Sequence, residues 1–140
     1  MVVASTRREA RERALLLAYE REQRDVPTVE LLAEQQGLDP YARRLVEGVE
    51  EHAAEIDECI DRWSTHWTVD RMPVVDRTLL RIATYELVHE AETPTAVVLN
   101  EAVELARQYS TKDSGRFVNG LLARIADVVR AASPEDAEQR

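Results

Sequence analysis

Apolar residues recur along this chain at spacings of three and four, and no segment alternates with a period of two, so the pattern predicts helices and no strands. Thr6-Arg7-Arg8-Glu9 reads as a capping box, and the stripe Ala10, Ala14, Leu17 and Ala18 carries a helix from there to about Arg24. A short helix follows Pro27, roughly Thr28 to Gln36, and stops at Gly37. Asp39-Pro40 starts a third, with Asp39 as N-cap, Pro40 at the first helical position and Leu45, Val46 and Val49 facing the core. A fourth passes through Ile56, Ile60 and Trp63 and runs on toward Trp67.

After Met72-Pro73 the pattern widens. Val75, Leu79 and Ile82 form one ridge, and Leu80, Ala83, Leu87 and Ala91 form a second beside it. Two adjacent apolar ridges predict a central helix packed by several neighbours. Thr93-Pro94 predicts the next helix, with Thr93 as cap, Pro94 at the first position and Val98, Ala102, Leu105 and Tyr109 as its stripe. Asp113 or Ser114 is expected to cap the last one, which carries Val118, Leu121, Leu122, Ile125, Val128 and Val129. Gly120 stands inside that helix, where glycine costs about 1 kcal/mol relative to alanine, so a close helix–helix approach is expected there. The reading is all-α: about seven helices in two small packed bundles, near residues 5–66 and 70–132. Together these make one domain over 1–132, followed by a polar tail at 133–140.

Length and composition agree with that outline. The 140 residues suffice for one core without metals or disulfides. Only four glycines and five prolines interrupt a chain rich in Ala, Leu, Glu and Arg. The single cysteine, Cys59, excludes an internal disulfide framework. No apolar run is long enough to span a bilayer, and the N-terminus lacks a signal-peptide core, so a cytoplasmic protein is expected.

Charge changes the picture more. The net charge of −9 argues against indiscriminate nucleic-acid binding by the whole surface. Residues 1–18, however, hold four arginines against two glutamates, which leaves −11 for the rest of the chain. Arg7 and Arg11 are four residues apart and Arg8 and Arg11 three, so they share a helix face. They lie in the first turns, where the helix dipole disfavours cations. Contact with phosphate accounts for that placement; so would solvation, with Glu9 and Arg13 paired one turn apart. Lys112, Arg116 and Phe117 form a second candidate patch, in which Phe117 is either a base-stacking platform or part of the core. Asp113 beside them would repel phosphate and doubles as a helix cap. Glu86 continues the ridge of Val75, Leu79 and Ile82, placing a carboxylate where an apolar residue is expected.

The chemistry of an enzyme is missing. His52, Cys59 and His66 are spaced by seven on a helical stretch, wider than the paired spacings of zinc sites, and are assigned no metal. No Gly-rich phosphate loop, nucleophile elbow or His-Glu-x-x-His string occurs. No catalysis and no cofactor are expected.

Three strings carry a family resemblance. Val75-Asp76-Arg77-Thr78-Leu79-Leu80-Arg81-Ile82-Ala83 with Tyr85-Glu86-Leu87, then Asn100-Glu101-Ala102-Val103-Glu104-Leu105-Ala106, then Asp113-Ser114-Gly115-Arg116-Phe117-Val118-Asn119-Gly120-Leu121-Leu122 resemble the NusB family in order and spacing. Arg7-Arg8-Glu9-Ala10-Arg11-Glu12 resembles its arginine-rich start, except that Glu9 stands where the family often has arginine, which lowers the RNA affinity to be expected. Residues from about Gln23 to Trp67 match in length and helicity without a diagnostic string.

The resemblance implies a transcription antitermination factor that binds boxA RNA of ribosomal RNA leaders as a heterodimer with NusE, a small-subunit ribosomal protein. The pair would nucleate a complex on RNA polymerase. The resemblance places Arg7, Arg8, Arg11, Lys112, Asp113, Arg116 and Phe117 at RNA, and Glu86 with Tyr19 at NusE. Two other readings use the same surfaces. One is a helical domain of the kind found before some ribosomal RNA methyltransferases. The other is a protein-only module or homodimer with solvated arginines.

Overall fold

The computed structural model describes residues 6–131, so the tail expected at 133–140 lies outside the described residues. Among the described residues seven α-helices follow one another: α1 (Arg7–Arg24), α2 (Thr28–Ala33), α3 (Pro40–Glu51), α4 (Ala53–Trp63), α5 (Val74–His89), α6 (Thr95–Tyr109) and α7 (Lys112–Val129). A 3-10 turn at Val69–Arg71 precedes α5, and no strand occurs among the described residues.

Most helix starts follow from local chemistry. The Thr6 side chain accepts a hydrogen bond from the Glu9 amide while Glu9 accepts from the Thr6 amide, completing the capping box. Asp39 caps α3 by accepting from the amides of Tyr41 and Ala42, with Pro40 at the first helical position. Two expected starts move by a few residues. Pro94 itself is the N-cap of α6. Thr111, rather than Asp113 or Ser114, caps α7, its hydroxyl accepting from the Ser114 amide. The short α2 ends at Ala33, before Gly37, whose φ of 65° turns the chain toward Asp39.

The two-ridge helix α5 is the hub, packing against α1, α3, α4, α6 and α7. Leu79, Leu80, Ile82, Ala83 and Leu87 are all buried there. They meet Leu15 and Leu17 of α1, Leu45 of α3, Ile56 and Ile60 of α4, Val98 and Leu105 of α6, and Leu121, Leu122 and Ile125 of α7 in one continuous core. Val128, expected on the α7 stripe, is exposed.

The close approach expected at Gly120 occurs elsewhere. A Cβ at Gly120 would meet nothing within 4 Å, whereas one at Gly48 would collide with the Tyr85 ring. Gly48 therefore lets α3 settle onto α5. The far end of α5 is closed by Arg130, just past α7: its guanidinium donates to the carbonyls of Glu86, Leu87, Glu90 and Thr93. Leu87 is among the last carbonyls of α5, which a helix terminus leaves without an intrahelical partner, while those of Glu86 and Glu90 accept from Arg130 in addition to the amides of Glu90 and Thr93.

Candidate nucleic-acid interface

At the start of α1, four arginines of similar sequence setting receive different partners. Arg11 is buried, 4% exposed, and its Nε and Nη2 donate to both carboxylate oxygens of Glu86, the shortest contact being 2.8 Å. The structure thus corrects the position expected of both residues. Glu86, 1% exposed, is no surface carboxylate, and Arg11 does not share an open face with Arg7. The hydroxyl of Tyr41, in α3, donates to the same carboxylate at 2.8 Å. Burial works against Arg11's charge, but the hydrogen bonds and charge of Glu86 outweigh it and hold its pKa above the ordinary value. Burial, then the charge of Glu86 and the bond to it, push the Tyr41 phenol well up, so it remains a donor. The physical reason for this cluster is mutual: each charge is tolerable in the core only because the other is there.

Tyr41 also links the buried cluster to the surface. The guanidinium of exposed Arg7 lies 3.8 Å from the centroid of its ring, a cation–π contact that holds the side chain in place while leaving its charge available. Among the described residues no carboxylate pairs with Arg7. Arg8 is different: it forms a two-bond ion pair with Glu101 of α6, at 2.9 and 3.2 Å. Arg13 donates to Gln35 rather than pairing with Glu9. Glu12 accepts from Gln108 and Tyr109 at the end of α6. These bonds tie the first half of α1 along α6 and leave Arg7 as the exposed guanidinium held by an aromatic face alone.

The second patch is arranged otherwise. Lys112, Asp113 and Arg116 are exposed in the first turns of α7, and no ion pair holds either cation among the described residues. Gly115 is buried against the Arg107 side chain of α6, so the start of α7 rests closely on its predecessor. Phe117 is half-buried against the core and meets the Trp67 ring edge-on at 5.4 Å. Trp67 is itself 46% exposed. Neither reading of Phe117 is complete alone: part of it packs inward, and its neighbour Trp67 supplies the open aromatic face.

Tyr19 is exposed (43%) beside exposed Leu16 on the same face of α1. His52, Cys59 and His66 do not come together; the His52 ring stacks on His89 instead. Residues that the sequence reading passed over include Tyr41, Trp67 and Glu101. The signal for the buried pair was present, because Arg11 falls among Ala10, Ala14 and Leu15 just as Glu86 falls on an apolar ridge. Two opposite charges on two apolar faces are what a buried ion pair looks like in sequence.

Fold and site together define an all-helical protein built around α5, with cationic groups displayed at the starts of α1 and α7. The model of the NusB family matches residues 8–127. The transcription antitermination protein NusB of Kineococcus radiotolerans is 46% identical over 134 residues, covering 92% of this chain and 98% of that one. That of Salinispora arenicola is 50% identical over 132 residues, covering 86% and 95%. Among solved structures, T. maritima NusB matches with a TM-score of 0.84 and 35% identity, over 99% of this chain and 100% of that one. A crystal structure of the antitermination factors NusB and NusE in complex with dsRNA matches with a TM-score of 0.76 and 30% identity, over 86% and 96%. The chain belongs to the NusB family.

Proposed function

We propose that this protein is a transcription antitermination factor that binds boxA-type RNA of ribosomal RNA leaders together with NusE and helps RNA polymerase resist termination. It works in the cytoplasm, by binding alone and without catalysis. Within the molecule, the observation that supports this most is Arg7 on the ring of Tyr41: an exposed cation, held by a core-anchored aromatic, of the kind that contacts phosphate. Lys112 and Arg116 add contacts from α7, Asp113 limits their reach by repulsion, and Phe117 with Trp67 offers a stacking edge. Arg8 contributes the part of its charge that Glu101 leaves. Arg11 and Glu86 act from beneath, by fixing Tyr41. Tyr19 and Leu16 form the apolar part of the surface for NusE.

Titration of a fluorescent boxA RNA, with and without NusE and against a scrambled RNA at several salt concentrations, tests the proposal. Binding that prefers boxA, tightens with NusE and weakens with salt is the expected result. Absence of binding in every combination, with NusE verified as folded, would transfer the weight to a protein-only module or a homodimer, which sedimentation at increasing concentration separates.

A further inference from the structure

Gly120 stands in the middle of α7 without a packing reason to be there. A helical glycine is disfavoured relative to alanine, yet Gly120 is exposed and a Cβ added to it would meet nothing within 4 Å. No turn requires it either, because among the glycines of the described residues only Gly37 has a positive φ. A stretch of bare backbone on a helix surface lets something outside the chain come close. The neighbouring side chains define what that is. Lys112, Arg116, Gly120 and Arg124 follow one another at intervals of four, which sets them in one row along α7. The three cations are exposed, and no side-chain hydrogen bond or ion pair holds them among the described residues. Half-buried Phe117 flanks the row, with the exposed ring of Trp67 against it. Between Asp113 and Asp127 the helix carries no carboxylate, in a chain whose net charge is −9.

From this arrangement we infer that the RNA surface continues along α7 past Phe117: the sugar–phosphate backbone of an unpaired strand lies against Gly120, and one of its phosphates reaches Arg124. The inference extends the boxA reading above and rests on it. Each step of four residues advances the row by about 6 Å, so Lys112 to Arg124 covers roughly 18 Å. A stacked strand rises only about 3.4 Å per nucleotide, so that length presents several phosphates to the row. Arg116 and Arg124 each offer a guanidinium, the group best shaped for charge-assisted bonds to phosphate oxygens. Any side chain at position 120 would stand between the two arginines and hold the strand off the helix. The row grips the backbone without reading sequence, and the couple of Trp67 and Phe117 supplies the stacking that favours unpaired bases over a duplex.

The test is titration of fluorescent boxA RNA with the full-length protein and NusE over a range of salt concentrations, with thermal unfolding of each variant in parallel. Arg124→Ala should weaken binding several-fold and lower the slope of log affinity against log salt by roughly 0.7, one phosphate contact on a single strand. Arg43→Ala, which removes an exposed arginine of α3, should leave that slope unchanged. Gly120→Ala should raise the Tm, since the position is open and alanine is the better helix former. Gly120→Gln adds bulk without charge and should weaken RNA binding several-fold while the Tm stays at or above that of the wild type. An unchanged slope with Arg124→Ala, an equal loss with Arg43→Ala, a lowered Tm with Gly120→Ala, or wild-type affinity with Gly120→Gln each overturns the extended surface. In those cases boxA binding by the wild-type protein still upholds the antitermination reading; no binding by the wild type overturns both.

Discussion

The starts of α1 and α7 display cations in opposite ways. In the first two turns of α1 each of the four arginines has a partner of its own: Arg7 an aromatic face, Arg8 a carboxylate across the helix interface, Arg11 a buried carboxylate and Arg13 an amide. At α7, Lys112 and Arg116 reach into solvent with no ion pair among the described residues, beside the half-open aromatic couple of Trp67 and Phe117. A held cation loses little side-chain entropy when a ligand arrives, whereas a free one adapts to the ligand and loses more. The first patch is therefore suited to fixing register on a nucleic acid and the second to contributing adjustable affinity.

The largest effect expected from breaking this contrast lies beneath α1. Glu86→Gln leaves Arg11 buried without its counter-charge and should lower unfolding free energy by about 3–5 kcal/mol, measured by urea denaturation. A loss below about 1 kcal/mol would mean that Arg11 escapes to solvent and that the first patch is not held.

Tyr41→Leu removes both the bond to Glu86 and the platform under Arg7. A stability loss of roughly 1.5–3 kcal/mol is expected. RNA affinity should fall several-fold, since cation–π contacts of this kind contribute about 0.5–1 kcal/mol. Tyr41→Phe, which keeps the ring, should retain the RNA affinity while losing part of the stability. Equal RNA affinities for the two variants would show that Arg7 needs no platform.

At α7 the expectation reverses. Lys112→Ala and Arg116→Ala should each change stability by no more than about 0.5 kcal/mol. Each should also reduce the slope of log affinity against log salt by roughly 0.7, the value for one phosphate contact on a single strand. An unchanged slope would remove these residues from the interface. The smallest effect belongs to Asp113→Asn. Because Thr111 is the cap, this substitution costs only the favourable dipole interaction, about 0.3–1 kcal/mol. It should tighten RNA binding modestly by removing a repulsive charge, and unchanged or weaker binding in the same titration would count against that role.

How much of this was legible in the sequence depends on the range of the interactions. Features decided within one turn were readable: the Thr6–Glu9 box, the Asp39-Pro40 start, and the two ridges that make α5 central. The α7 cap was missed by two residues because Thr111, Asp113 and Ser114 are all capping types, and only the backbone conformation at Thr111 selects among them. Features decided across the core were not readable in the same way. Nothing local distinguishes Gly48 from Gly120, since what matters is that Tyr85 faces one and open space faces the other. Arg11 differs from Arg7 along α1 only in standing among Ala10, Ala14 and Leu15, and it is Glu86, 75 residues away, that completes the buried pair. The histidine pair at positions 52 and 89 depends on how α3 docks on α5, so spacing along one stretch pointed to the wrong companions.

Arg130 carries a consequence for how the molecule is made. Its guanidinium fills carbonyls at the end of α5, one of them 43 residues earlier in the chain. During synthesis, which adds roughly 5–20 residues per second, α5 therefore waits some seconds with its C-terminal end unsealed. The hub of the fold is synthesised before its latch, so a ribosome stalled between α6 and the end of α7 would hold a chain whose central helix has been made and whose closing bonds have not.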